Sequence, residues 1–121
     1  MIFTPIQTTG SDERGFTAEY FHPRLGHHLI VFRKAGTVSG RHYHKGLSIN
    51  KNPEILILLS GRCIANWREA NGTIKHSNVV NAPTMMEIPA LEWHEIIAET
   101  DCTFLELNSL SEHVADTFRI D

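Results

Sequence analysis

Three histidines and one carboxylate in this chain stand at spacings that suit a single divalent transition metal. His42 and His44 form a His-x-His pair inside Gly36-Thr-Val-Ser-Gly-Arg-His42-Tyr-His44. Glu54 follows, with Gly61 seven residues after it, and His94 closes a second segment, Pro89-Ala-Leu-Glu-Trp-His94. Extended backbone sends residues i and i+2 to the same face, about 6–7 Å apart along the strand. His42 and His44 therefore present two imidazoles in one direction, and Tyr43 points the other way. Glu54 opens the next apolar strand and can swing in beside them, whereas His94 reaches the same centre only if the sheet closes. Three imidazoles and a carboxylate suit Fe, Mn, Co, Ni, Cu or Zn and do not suit Ca or Mg. Such a set leaves one or two positions for water or substrate. Without a metal, the same residues form a polar cluster lining a pocket, and His42 and His44 become available as acid and base.

Proton transfer next to a carbonyl needs a base that works near neutrality and a partner for the enolate charge. If His42 and His44 are ligands, the base is another group, and Glu106 is the candidate. In Phe104-Leu-Glu-Leu-Asn108, Glu106 and Asn108 share a face opposite Leu105 and Leu107. Either that face looks into the barrel, or Glu106 lies outside in a salt bridge or a dimer seam. Arg33, Arg41 and Arg68 are either anion contacts or surface charges. The remaining histidines, His22, His27, His28, His76 and His113, read as surface or loop residues.

The elements around these residues are short β-like runs with turn punctuation. Strands are expected over Phe16–Phe21, Leu29–Arg33, Arg41–His44, Ile55–Leu59, Arg62–Glu69, Thr73–Val80, Thr84–Ile88, His94–Ala98 and Thr103–Asn108. Asn71-Gly72 predicts a hairpin whose favoured turn needs positive φ at both central positions. The tail from Ser109 suits a short helix, with Ser111 as a candidate N-cap. Residues 1–121 read as a single all-β domain, a sandwich or barrel.

A formal net charge of −3 and the lack of a basic stripe argue against nucleic acid as a partner. The longest apolar run, Ile55–Leu59, is five residues, far short of a membrane span. No secretion signal is visible, so the cytoplasm is the expected compartment. Cys63 and Cys102 read as reduced core thiols. Small barrels with long sheet edges and an apolar outer face need covering, so a homodimer is expected, with a small molecule as ligand or substrate.

The motifs resemble those of the cupins. The first cupin motif runs Gly, five residues, His-x-His, three or four residues, Glu, six residues, Gly. Gly36, His42, His44, Glu54 and Gly61 fit it, except that nine residues, Lys45–Pro53, separate His44 from Glu54. The second runs Pro-x-Gly-x-x-His-x-x-x-Asn; Pro89 and His94 fit, with Leu91 in place of Gly and Ala98 in place of Asn. The resemblance covers Gly36 to Asn108 and implies a double-stranded β-helix, the jelly-roll barrel. Asp12-Glu-Arg-Gly15, Arg41-His-Tyr-His-Lys45, Leu58-Leu-Ser-Gly61 and Trp93-His-Glu95 look like the cupins that act on nucleotide-linked 4-keto-6-deoxy sugars, the 3,4-ketoisomerases and 3,5-epimerases. By that resemblance His42 and His44 are proton movers. Glu54, where the metal-free ketoisomerases have Gln, favours a metal instead. The function expected is a small metal-binding cupin that moves a proton on a small carbonyl or sugar-type metabolite, as isomerases and epimerases do. The alternatives are a non-enzymatic metal cupin that binds a small ligand, and an Fe(II)-dependent oxygenase.

Overall fold

Alternating apolar and polar residues build two antiparallel sheets that face each other across one core. The computed structural model describes residues 1–120. Among these, the strands are β1 (Ile2–Pro5), β2 (Thr8–Asp12), β3 (Gly15–Ala18), β4 (Leu29–Arg33), β5 (Val38–His42), β6 (Glu54–Ser60), β7 (Arg62–Glu69), β8 (His76–Asn81), β9 (Thr84–Ile88), β10 (Glu92–Ala98) and β11 (Cys102–Glu106). A short 3₁₀ turn (Ile49–Lys51) precedes β6, and one helix, α1 (Leu110–Ala115), follows β11. One sheet has the order β1-β9-β6-β11-β4 and the other β5-β10-β7-β8, while β2 and β3 form a separate hairpin. This is the all-β jelly roll with a short C-terminal helix that the motifs imply.

Leu58, Cys63, Ala65, Val80, Met86, Ile96, Ala98, Cys102 and Phe104 pack between the two sheets. Ile55, Ile57 and Leu107 point to the other side of the first sheet, where Ile6, Met85 and Leu105 cover them. The run Ile55–Leu59 is apolar throughout because β6 is buried on both faces. Both cysteines are free and buried, and burial pushes the Cys63 thiol up to about 12. Gly61 links β6 to β7 with φ 95°, and a Cβ there would lie 2.2 Å from the Asp101 carbonyl oxygen. Only glycine fits such a turn.

Several local expectations are corrected. Thr8–Asp12, ahead of the first expected strand, is itself a strand, and β3 runs Gly15–Ala18 and stops short of Phe21. Residues Ile2–Pro5 form an edge strand, their short run having offered too little periodicity to read. Asn71 and Gly72 do not have positive φ; the Gly72 amide donates to the Glu69 carbonyl at 2.9 Å, and the chain then runs on to β8 at His76. The N-cap of α1 is Ser109, not Ser111. Ser109 accepts from the Glu112 amide while the Glu112 carboxylate accepts from the Ser109 amide, a reciprocal capping box that Ser111 has no glutamate to complete. Among the described residues no helix is long and apolar enough to cross a membrane.

Candidate functional site

Antiparallel pairing gathers four strand ends at one end of the sandwich. β5 ends at His42, β6 begins at Glu54, β11 ends at Glu106, and β10 has just begun at His94. His42 and His94 are direct cross-strand partners, with their ring centroids 4.8 Å apart. Cross-strand partners stand on the same face, so the sheet register itself brings these two imidazoles together. The bend after β5 turns His44 in beside them. Gly40 (φ 86°) and Arg41 (φ 60°) bend the strand, opposite a register shift between His94 and Glu95. A Cβ on Gly40 would meet the His94 carbonyl oxygen at 2.8 Å, so glycine is needed for this approach. The His44 ring lies 4.9 Å from that of His42 and 5.3 Å from that of His94. One nitrogen from each of the three rings falls within 4.8 Å of the others.

The rings are prepared as ligands. His44 Nδ1 lies 2.6 Å from the Asp116 carbonyl oxygen and His94 Nδ1 lies 3.1 Å from that of Glu92. A carbonyl only accepts, so both Nδ1 atoms carry protons and the Nε2 lone pairs are left for another partner. Burial, then the neighbouring charges of His94 and His44, push His42 down to about 3. Burial is also the main cause that lowers His94. These two imidazoles are thus neutral at neutral pH. His44 Nε2 is buried without a hydrogen-bond partner, and it lies directly against Glu54 Oε2. A proton on Nε2 makes this contact an ion pair, and a metal ion held on Nε2 takes the place of that proton. A donor set of three imidazoles beside a carboxylate therefore fits a divalent transition metal.

Burial alone would raise the Glu54 carboxyl. The His44 ring against it and the charges of His94 and Lys51 win, and hold it well below the usual carboxylate range. Glu54 is not clustered with all three histidines: its other neighbour is the Lys51 ammonium, 3.1 Å away. Lys51 has no exposed side-chain surface, and its Nζ also reaches Glu106 Oε1 at 2.7 Å and His113 Nδ1 at 2.9 Å. Glu106 thus faces into the barrel. Its ionic partner comes from inside the site, so the outer-face alternative does not hold. The expectation for His113 is corrected as well: α1 turns its ring inward, 5.5 Å from His42 and 5.8 Å from His44.

The segment Lys45–Pro53 is fastened inward. The Asp116 carboxylate accepts from the backbone amides of Lys45 (2.8 Å), Gly46 (3.0 Å) and Ser48 (3.3 Å). Glu112 accepts from Ser48 Oγ at 2.7 Å and Asn50 Nδ2 at 2.8 Å. Arg24 donates to the carbonyls of Asn50 and Pro53, each at 3.0 Å.

Lys51, His113 and Asp116 had been passed over as site residues. Nothing in the polar run around Lys51 marks it as buried. For His113 a signal existed. Ser109-Leu-Ser-Glu112 is a capping box, and it sets the helix phase that puts Glu112, His113 and Asp116 against the loop.

A cavity of about 770 Å³ opens beside these groups, lined by His42, Glu54, His94, Glu106 and His113 together with apolar side chains of β4 and β6. His44 is not among the lining residues: it lies beneath, with Asp116 on one ring nitrogen and Glu54 against the other. Arg33 and Arg41 reach the cavity, but Arg33 donates to Ser39 Oγ at 2.8 Å and Arg41 pairs with Glu95 at 3.1 Å. Arg68 lies away from it and donates to the carbonyls of Glu69, Ala70 and Gly72.

No protein-family model matches the chain, and a search of curated proteins finds no match. Solved structures do match in fold. The 3,4-ketoisomerase QdtA from Thermoanaerobacterium thermosaccharolyticum, solved in complex with TDP, superposes with a TM-score of 0.74 at 20% identity, over 98% of this chain and 86% of that one. The dTDP-6-deoxy-D-glucose-3,5-epimerase RmlC from Legionella pneumophila gives 0.68 at 16% identity, over 98% and 71%. The capsular polysaccharide assembling protein CapF from Staphylococcus aureus gives 0.66 at 20% identity; 98% of this chain is covered but only 33% of CapF. The fold of this chain is the jelly roll that these structures share.

Proposed function

We propose that this cupin-fold chain holds a divalent transition metal on His42, His44 and His94 and moves a proton next to the carbonyl of a small sugar-type metabolite. The observation that carries the reading is the set of imidazoles itself. Three buried rings converge, and backbone carbonyls fix two of them with Nε2 free. When bound, the ion supplies Lewis-acid pull on a carbonyl oxygen in the cavity. The chain's own residues supply the rest. His42 and His94 form the wall that a substrate meets. Glu106 stands in that wall as the base for the carbon-bound proton, and Lys51 holds its carboxylate in place. His44 is a poor proton mover here, because it lies beneath the cavity and does not line it.

Two similar folds support the substrate class: QdtA was solved with TDP-4-keto-6-deoxyglucose and RmlC with dTDP-4-keto-L-rhamnose. A homodimer belongs to the same reading. The β2–β3 hairpin is exposed almost throughout, and Ile30 and Phe32 on the edge strand β4 are 78% and 52% exposed.

The test is incubation of metal-loaded protein with TDP-4-keto-6-deoxyglucose in deuterated water. The expected result is deuterium at carbon beside the keto group, with E106Q slower by about 10²–10⁴-fold. Absence of exchange contradicts the isomerase reading. Oxygen consumption would then point to an oxygenase, and a gain in melting temperature alone to a binding module.

A further inference from the structure

We propose that Lys51 is a resident cation that withholds Glu54 from the metal, so that the centre coordinates through its histidines and takes its anionic oxygen ligand from the substrate. The inference rests on the metal reading above and concerns how that centre is built.

The geometry begins with the long spacing between His44 and Glu54. The extra residues fold inward and end in the 3₁₀ turn Ile49–Lys51, which drives the Lys51 side chain under the barrel floor. An ammonium group has three protons to donate. Here they meet three acceptors: Glu54 at 3.1 Å, Glu106 at 2.7 Å and His113 Nδ1 at 2.9 Å. A fully buried ammonium that loses one of these acceptors leaves a donor unpaired out of water, which is costly. Lys51 also cannot withdraw easily, because Asp116, Glu112 and Arg24 fix the loop on both sides of it.

Charge counting gives the consequence. The formal charges of Glu54, Glu106 and the Lys51 that pairs with both sum to one negative charge on the protein side. A divalent ion then brings the centre to one net positive charge, which a single anionic oxygen from a ligand neutralises. Without the lysine charge, the two carboxylates would balance the ion alone. Glu54, already in contact with His44, would be the carboxylate nearest to it.

Cobalt(II) is the probe, titrated into the wild type, K51M and the double variant K51M/E54Q, with affinity and the visible absorption of the bound ion read together. K51M should bind cobalt at least ten-fold tighter and with an altered visible spectrum, as a carboxylate oxygen joins the ion. K51M/E54Q should lose both changes. Binding by K51M and not by the wild type overturns the inference and the metal reading alike, since the native histidines then hold no ion. Equal or weaker binding by K51M with an unchanged spectrum overturns it while leaving the histidine metal site intact. A gain that persists in the double variant also overturns it. No binding by either protein overturns both this inference and the metal reading. Should K51M not fold, K51Q keeps amide donors for the carboxylates without the charge and is read by the same titration.

Discussion

The floor of the barrel and its β4 edge are built on opposite terms. At the floor, Lys51 and Asp116 have no measurable exposure, and their polar groups are tied by contacts that span the chain, such as Lys51 to Glu106 and Lys45 to Asp116. At the edge, Ile30 and Phe32 are largely bare, and the hairpin β2–β3 carries almost no buried residue. Moving a polar group out of water costs several kcal/mol unless each donor and acceptor is matched. A floor of that kind has one arrangement, which suits chemistry that depends on fixed distances. The edge is unmatched apolar surface, which suits association with a second copy.

The comparison breaks most sharply at Asp116. D116A deprives three part-buried amides, those of Lys45, Gly46 and Ser48, of their acceptor and should cost about 3 kcal/mol in urea denaturation. A cost under about 1 kcal/mol would mean that the floor is not held as described. At the edge, I30D with F32D should shift a dimer to monomer in sedimentation and leave metal content unchanged. A wild-type protein that is already monomeric would remove the dimer reading.

The acid limb probes the seam between the two regions. Hydrogen bonds from the Ser109 amide, Ser48 and Asn50 lower the Glu112 carboxyl to about 2 from an ordinary 4.5. Its folded value is depressed, so its contribution is present above about 4.5 and is lost as pH falls toward 2. The stability gap between wild type and E112Q should therefore close over that interval, and a gap that stays constant would contradict the assignment. The smallest effect is expected in the hairpin. Arg14 and Asp12 pair at 2.8 Å but are both exposed, so R14A should change stability by less than about 0.5 kcal/mol.

The same contrast explains what could be read without coordinates. The histidine face was legible because its rules are local. Residues two apart share a strand face, which gives His42 and His44, and the turn before β10 placed His94 near the start of its strand. An all-β sandwich or barrel was legible from the short strands and their turns, and the resemblance to the cupin motifs implied the jelly roll. Lys51 was not, because a buried lysine depends on acceptors brought from β6, β11 and α1, elements far apart in the chain. Glu106 was narrowed to two faces, and the lysine opposite it decides between them. His113 reads as a surface or loop residue because only the docking of α1 against the Lys45–Pro53 segment turns its ring inward.

The central claim is that His42, His44 and His94 hold a metal. Its most direct test is elemental analysis of protein purified without an affinity tag or chelator, beside an H42A/H44A control. Near-stoichiometric Fe, Mn, Co, Ni, Cu or Zn, lost in the control, is the predicted result. No metal even after reconstitution, or the same metal content in the control, would contradict it.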